Sequence, residues 1–194
     1  MANSKRLSFV GSIQGQCIGD IMNYLKIDKA SIGNGPGVRV VLWVSGCSIH
    51  CNGCQNPESW DFNAGKKFDA DAKQKLFDAL NKPYIKGITF SGGNPVERKN
   101  SIDTFLLISE IKRRFPNKDI WLYTGVQLTT DDFAQPKEDM IIENEIFRLC
   151  DVVVDGPYIE EQRDITLKFC GSRNQRLIDV KETLNQGKII TIQN

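Results

Sequence analysis

The sequence lacks an excess of charge of one sign, a long apolar run and a secretory signal, the features that mark nucleic-acid-binding, membrane and secreted proteins. Lysine and arginine number 25 against 24 aspartate and glutamate residues, a net charge of +1. This balance gives no indication of a surface that binds nucleic acid or a membrane. No apolar run comes near the roughly 18 residues that a spanning helix needs, and the start of the chain lacks the apolar core of a secretory signal. We therefore expect a soluble, cytoplasmic protein.

Cysteine and histidine are also scarce, with six cysteines and one histidine in 194 residues. Six cysteines are too few for a disulfide scaffold of this length, so their arrangement is more informative than their number. Three of them, Cys47, Cys51 and Cys54, fall within eight residues and are spaced Cys-x3-Cys-x2-Cys. This clustering favours a metal site in a reducing compartment. Cys150 and Cys170 have no cysteine close by in the sequence. We expect Cys150 to be a core thiol and Cys170 to be a loop thiol.

Three thiols on one short loop are typical of particular metals. Thiolates are soft ligands that suit iron–sulfur clusters and zinc. A closed structural site takes four protein ligands, whereas three leave one metal position free for a small molecule. His50 would give a four-ligand set for zinc, although adjacent residues such as His50 and Cys51 rarely reach the same metal. The residues alone favour an iron–sulfur cluster and leave zinc open.

The length predicts one domain with a hydrophobic core. The apolar run at 38–44 predicts a strand buried on both faces, and α/β folds place their chemistry at the carboxyl ends of such strands. The polar stretch 127–139 predicts an exposed irregular segment. Further strands are expected at 24–32 (an edge strand), 87–91, 119–123, 151–155 and, in the tail, 188–192; helices are expected at 69–80, 101–115 and 141–149. Strand and helix alternate, which predicts mostly parallel strands. Four to six strands are too few for a closed barrel, so we expect an α/β fold of the open, partial (β/α) barrel type.

Two other strand ends carry candidate binding residues. Gly92 and Gly93 follow a predicted strand, and glycine there lets the backbone approach a ligand closely. The same pair of glycines is also typical of an ordinary turn without a ligand. Asp155 also ends a strand and is a candidate for contact with a cofactor or partner. Glu97 and Lys99 are expected to be solvated surface charges.

Seven motifs in order carry a resemblance to a known family. They are NGPGVR at 34–39, WVSGC at 43–47, NGC at 52–54, FSGGNP at 90–95, IWLYTG at 120–125, VVDG at 153–156 and GSRNQ at 171–175. The chain resembles the radical S-adenosylmethionine enzymes and, among them, the family of activating proteins of the anaerobic ribonucleoside-triphosphate reductase. The match spans 22–178, so residues 22–194 are expected to form a single domain. Residues 1–21, which include Cys17, are expected to be an extension or to follow from a start codon placed too early.

The resemblance implies a cofactor and its ligands. Cys47, Cys51 and Cys54 would hold three irons of a [4Fe-4S] cluster, and the fourth iron would chelate S-adenosylmethionine. The residues expected at the cofactor are Gly53, Cys54, Gln55, Gly92, Gly93 and Asn94. Many relatives carry an acidic residue where Asn94 stands, so a charged side-chain role is not expected there. No residue is predicted to act as a catalytic acid, base or nucleophile.

The resemblance also implies a reaction and two partners. The protein would be an oxidoreductase that cleaves S-adenosylmethionine reductively and generates the glycyl radical on the large subunit of the anaerobic ribonucleoside-triphosphate reductase. An electron donor such as flavodoxin, or an equivalent, would supply the electron. Two alternatives stay open: an activase of another glycyl-radical enzyme such as pyruvate formate-lyase, and a non-catalytic metal-binding or electron-transfer protein.

Overall fold

The computed structural model describes residues 22–134 and 140–193. The predicted extension at 1–21, with Cys17, lies outside the described residues. The described strands are β1 (Asn23–Ser31), β2 (Val38–Val44), β3 (Lys66–Lys67), β4 (Ile85–Gly92), β5 (Asp119–Tyr123), β6 (Val152–Asp155) and β7 (Arg176–Asp179). The described helices are α1 (Ala70–Leu80), α2 (Arg98–Arg114), α3 (Asp131–Ala134), α4 (Ile141–Leu149) and α5 (Val180–Gln186). In this part of the chain no helix is long and apolar enough to cross a membrane.

The strands form one sheet in the order β3-β1-β2-β4-β5-β6-β7. Its middle, from β2 through β4 and β5 to β6, is parallel. Both margins are antiparallel, because β1 pairs with β2 and β3, and β7 pairs with β6. The fold is thus mixed α/β. The expectation of mostly parallel strands is correct only for the middle of the sheet, and the partial barrel stays a prediction.

The two faces of the sheet have different neighbours, because side chains alternate along a strand. On β2, Val40, Leu42 and Val44 join the main core, which also contains Leu76 of α1 and Ile108 of α2. The alternate positions lie on the opposite face. There Trp121, Val152, Val154 and Leu177 form a second, smaller core with Tyr123, Phe169 and Cys170 packed against it. The helices therefore cover one face and leave the other available for a site.

A buried charge ties three of the parallel strands together. Arg39 of β2 is fully buried, and its guanidinium lies 2.5 Å from a carboxylate oxygen of Asp119 on β5. It also donates to the Thr89 hydroxyl and the Ile88 carbonyl of β4, both at 2.9 Å. Burial lowers the pKa of Arg39, and the neighbouring Asp119 acts against that shift. The polar position inside the apolar run of β2 is thereby satisfied.

Several predicted elements are confirmed and others are wrong. The strands at 38–44 and 119–123 and the helix at 141–149 have the predicted bounds. Asp69 caps α1, where its carboxylate accepts from the Ala72 amide at 2.9 Å. β1 is an edge strand over most of its length, as predicted, because the two-residue β3 pairs only with Asn23 and Tyr24 on its outer side. The tail has a single bridge between Ile178 and Thr191 where a strand was predicted.

The segment predicted to be exposed at 127–139 is partly buried. Leu128 and Phe133 belong to the main core, and the ring of Phe133 packs against that of Phe147 on α4 at 6.3 Å between centroids. The burial of Leu128 and Phe133 thus packs a mostly polar segment against the helices. Residues 135–139 lie outside the described residues.

Candidate functional site

A cleft of about 380 Å³ opens beside the carboxyl ends of the parallel strands. Trp43 of β2, Ser91 of β4 and Tyr123 of β5 line it from the sheet face that the helices leave uncovered. The loops that follow β2, β4, β5 and β6 supply its other walls, and Gly33 and Asn34 of the loop after β1 also line it. This is the edge at which open parallel sheets bind their ligands.

The first wall is the cysteine loop, residues 45–56, which follows β2. Cys47, Cys51 and Cys54 are all half-buried and all line the cleft. The loop turns sharply because Gly46, His50 and Gly53 have left-handed backbones, with φ of 96°, 49° and 73°. The structure thus brings the three predicted thiol ligands to one cleft.

Backbone amides of the cysteine loop point at two of the sulfurs. The Asn56 amide donates to the Cys54 sulfur at 3.4 Å. Burial raises the pKa of the Cys47 thiol, and donation from the Ile49 and His50 amides opposes that increase. N–H donors stabilise the thiolate, which is the form that binds metal. This donor set fits an iron–sulfur cluster.

His50 has a partner other than the thiols. Its ring stacks on that of Trp60, with centroids 4.6 Å apart and planes 26° apart. Within the described ranges, no three histidine, cysteine or carboxylate side chains are grouped as a site for one metal ion. A four-iron cluster does not require such a group, because each thiolate binds a different iron.

The second wall is the glycine loop, residues 92–95, which begins at the last residue of β4 and lies directly against the cysteine loop. The Gly93 amide donates to the Val44 carbonyl at 2.8 Å, and the Asn94 amide donates to the Gly46 carbonyl at 2.9 Å. A β-carbon on Gly93 would lie 2.5 Å from the Gly46 carbonyl oxygen. We expected these glycines to admit a ligand. The structure shows that Gly93 admits the neighbouring loop, and its contact with a ligand stays a prediction.

Asn94 is buried at the base of the cleft. Its side-chain oxygen accepts from the Thr124 hydroxyl at 3.1 Å and from the Val96 amide at 3.4 Å. Thr124 follows β5, so Asn94 joins the loops that end two neighbouring strands. A neutral amide suits this buried position, since it carries no charge that needs a buried counter-ion.

The other two predicted cofactor residues are placed differently from one another. Gln55 lines the cleft, whereas Gly53 is exposed and does not. A β-carbon on Gly53 would lie 2.3 Å from a carboxylate oxygen of Glu160, which accepts from the Tyr158 hydroxyl at 2.7 Å. Gly53 therefore makes room for the loop that follows β6.

Sequence reasoning missed most of that loop, residues 156–175, and expected only its start, after Asp155, at the same rim. The loop lines the cleft with Gly156, Tyr158, Leu167, Phe169, Cys170, Gly171 and Gln175. The Gln175 side chain holds the loop together, accepting from the Gly171 amide at 2.8 Å and donating to the Gly156 carbonyl at 3.1 Å. The GSRNQ motif at 171–175 was the available signal, but nothing in it indicated which way the loop folds.

The remaining cysteines fit their predicted classes. Cys150 is a buried core residue, and burial strongly raises its pKa. Cys170 is on a loop, as expected, but that loop places it in the lining of the cleft.

Asp155 has a structural environment. Its side chain is fully buried, pairs with Arg176 of β7, and accepts from the Leu128 amide at 2.9 Å. These contacts occupy the carboxylate and fasten β6 and β7 to the segment after β5. They argue against Asp155 as a direct contact for a ligand.

Glu97 is partly exposed, and it makes specific contacts that the expectation of a solvated surface charge did not include. One of its carboxylate oxygens accepts from the Ser48 amide at 2.9 Å and from the Ser48 hydroxyl at 2.8 Å. It thus binds the residue next to Cys47. Lys99 is exposed, as predicted.

Comparisons with known proteins cover the whole of this site. A family model described as a 4Fe-4S single cluster domain matches residues 33–178. An anaerobic ribonucleoside-triphosphate reductase-activating protein of Haemophilus influenzae is 40% identical over 157 residues, covering 79% of this chain and 96% of the relative. Proteins of the same name from Enterobacteria phage T4 (40% identity over 156 residues, 80% of this chain and 93% of the relative) and Escherichia coli K12 (36% over 156 residues, 79% and 96%) are similar as well.

Proposed function

The chain belongs to the family of anaerobic ribonucleoside-triphosphate reductase-activating proteins, and on that premise we propose that it is a radical S-adenosylmethionine activase. In this proposal it generates the glycyl radical on the large subunit of the reductase. The observation that carries the proposal is the placement of three thiols and the glycine loop in one cleft. A protein that only transfers electrons needs no such cleft beside its cluster.

Cys47, Cys51 and Cys54 would hold three irons of a [4Fe-4S] cluster, which leaves the fourth iron open to the cleft. Gln55, Gly92, Gly93 and Asn94 would contact S-adenosylmethionine bound there, while Gly53 would act through the loop that packs on it. The cluster held by these residues would supply, on reduction by one electron from an external donor, the chemistry that splits S-adenosylmethionine into methionine and a 5′-deoxyadenosyl radical, and that radical would take a hydrogen atom from a glycine of the partner.

The chain's own residues have three tasks in this reaction. The amides that face Cys47 and Cys54 donate hydrogen bonds to these sulfurs and would support the thiolates once metal is bound. The glycine loop packs its backbone directly against the cysteine loop, because Gly92 and Gly93 carry no side chains that would separate the two. Apolar side chains of residues 156–175, Leu167 and Phe169, line the cleft and reduce the access of water.

The partner proposal follows from the names of the relatives, which are activating proteins of the reductase. We further propose an electron donor such as flavodoxin, a cytoplasmic location, and a single functional domain at residues 22–194.

The first test is anaerobic. The protein is reconstituted with iron and sulfide, supplied with S-adenosylmethionine and a strong reductant, and assayed for 5′-deoxyadenosine beside Cys51→Ala and Cys150→Ala. We expect product from the parent and from Cys150→Ala, which alters only a core thiol, and loss of product in Cys51→Ala.

The outcomes separate the alternatives. A full four-iron cluster without product would favour an electron-transfer protein, and zinc retained through anaerobic purification would contradict the proposal. Adding either the anaerobic reductase or pyruvate formate-lyase then identifies the partner by the electron paramagnetic resonance (EPR) signal of its glycyl radical.

A further inference from the structure

Glu97 occupies an unusual position for an acidic side chain at the start of a helix. It is the N-cap residue of α2, yet its side chain makes no capping hydrogen bond to that helix. An N-cap side chain ordinarily accepts from an amide of the first turn. Glu97 instead reaches across to the cysteine loop, where one of its carboxylate oxygens accepts hydrogen bonds from both the amide and the hydroxyl of Ser48.

The same turn of α2 also holds the bases of the two loops. The buried Asn100 side chain donates to the Ser45 carbonyl at 2.9 Å and to the Asn94 carbonyl at 3.1 Å. Ser45 begins the cysteine loop, and Asn94 belongs to the glycine loop. Asn100 thus fixes where the loops start, and Glu97 fixes the cysteine loop farther along, next to Cys47.

We propose that Glu97 is a positioning residue that holds the Cys47 end of the cysteine loop in register with the glycine loop. This inference rests on the proposed function, in which the cysteine loop carries the cluster and the glycine loop contacts S-adenosylmethionine. Because Ser48 directly follows Cys47, two hydrogen bonds to a carboxylate restrict the orientation of that thiolate. Hydrogen bonds to charged groups are among the stronger ones in proteins.

The first experiment needs neither cluster nor cofactor. Amide hydrogen exchange is measured on the metal-free protein and on the variants Glu97→Ala, Glu97→Gln and Arg98→Ala. Arg98 is the exposed neighbour on the same turn and serves as the control. We expect the Ser48 amide to exchange at least about tenfold faster in Glu97→Ala, with core amides of β2 unchanged, and near parent rates in Arg98→Ala.

The second experiment uses the reconstituted enzyme. We expect Glu97→Ala to lose iron faster to a chelator and to raise KM for S-adenosylmethionine by about tenfold, with a smaller change in kcat. Glu97→Gln retains a side-chain oxygen that can accept from Ser48, so it should restore most of both properties. A residue that only supported the fold would not give this separation of KM from kcat, nor this rescue.

The inference would be overturned if Glu97→Ala showed the same Ser48 exchange rate, iron retention and KM as the parent protein. It would also be overturned if Arg98→Ala changed these three quantities as much as Glu97→Ala does. Failure of the proposed function gives a different result. A parent protein that never cleaves S-adenosylmethionine would refute the activase, while exchange and iron retention would still decide whether Glu97 positions the cysteine loop.

Discussion

At the scale of single residues, the ion pair between the buried Arg39 and the partly exposed Asp119 shows how a charge is accommodated under the site. Arg39 stands in an otherwise apolar strand and is surrounded by the Thr89 hydroxyl, the Ile88 carbonyl and the carboxylate. An apolar run with one arginine predicted the strand correctly, because strand formation depends on the run. The partner could not be predicted, since Asp119 lies 80 residues away along the chain.

Replacing Asp119 with alanine should destabilise the protein strongly. The change leaves the fully buried guanidinium without its counter-charge, and breaking a buried pair costs about 3 kcal/mol or more. Urea unfolding of the metal-free protein measures the loss. Lys73→Ala, which removes one member of a surface pair with Glu110, is the control and should cost about 1 kcal/mol at most. Equal losses in the two variants would contradict this account.

At the scale of elements, the loops after β2 and β4 form one unit, because Gly93 lets their backbones touch. The sequence predicted both loops at strand ends from the apolar runs before them and the glycines after them. It did not show that the loops hydrogen-bond to each other, nor that residues 156–175 cover the same cleft. β7 was missed because Arg176–Asp179 has only two apolar residues between polar ends. A pattern this short does not distinguish a strand from a loop.

Gly93→Ala should therefore separate the two loops. Its β-carbon would lie 2.5 Å from the Gly46 carbonyl oxygen, a contact that backbone can relieve only by moving. We expect affinity for S-adenosylmethionine to fall by about tenfold or more, equivalent to about 1.4 kcal/mol, with the three thiol ligands retained. Equilibrium dialysis of the reconstituted protein under anaerobic conditions measures the affinity.

Gly33→Ala is the matched control for that experiment. Gly33 also lines the cleft, but a β-carbon there would meet nothing within 4 Å. It should bind S-adenosylmethionine like the parent. If Gly93→Ala did the same, close approach of the loops would not matter for the site.

At the scale of the whole molecule, the site is assembled from loops that follow five different strands, and this couples ligand binding to the fold. The helices and the main core hold one face of the sheet, while the loops at the open face are joined to each other and to the first turn of α2. Any ligand that bridges these loops binds the folded state alone. Binding should then appear as added stability.

S-adenosylmethionine should accordingly raise the melting temperature of the reconstituted protein. At a concentration 100 times Kd the gain is about 2.7 kcal/mol, which corresponds to a shift of about 5 to 10 °C for a chain of this size. Loss of the cluster makes unfolding irreversible, so melting temperatures are compared anaerobically at one scan rate. Cys51→Ala should show no shift, because the proposed site needs the open iron as well as the loops. A shift of the same size in Cys51→Ala would mean that the loops bind the ligand without the cluster, and the proposed chelation would then be wrong.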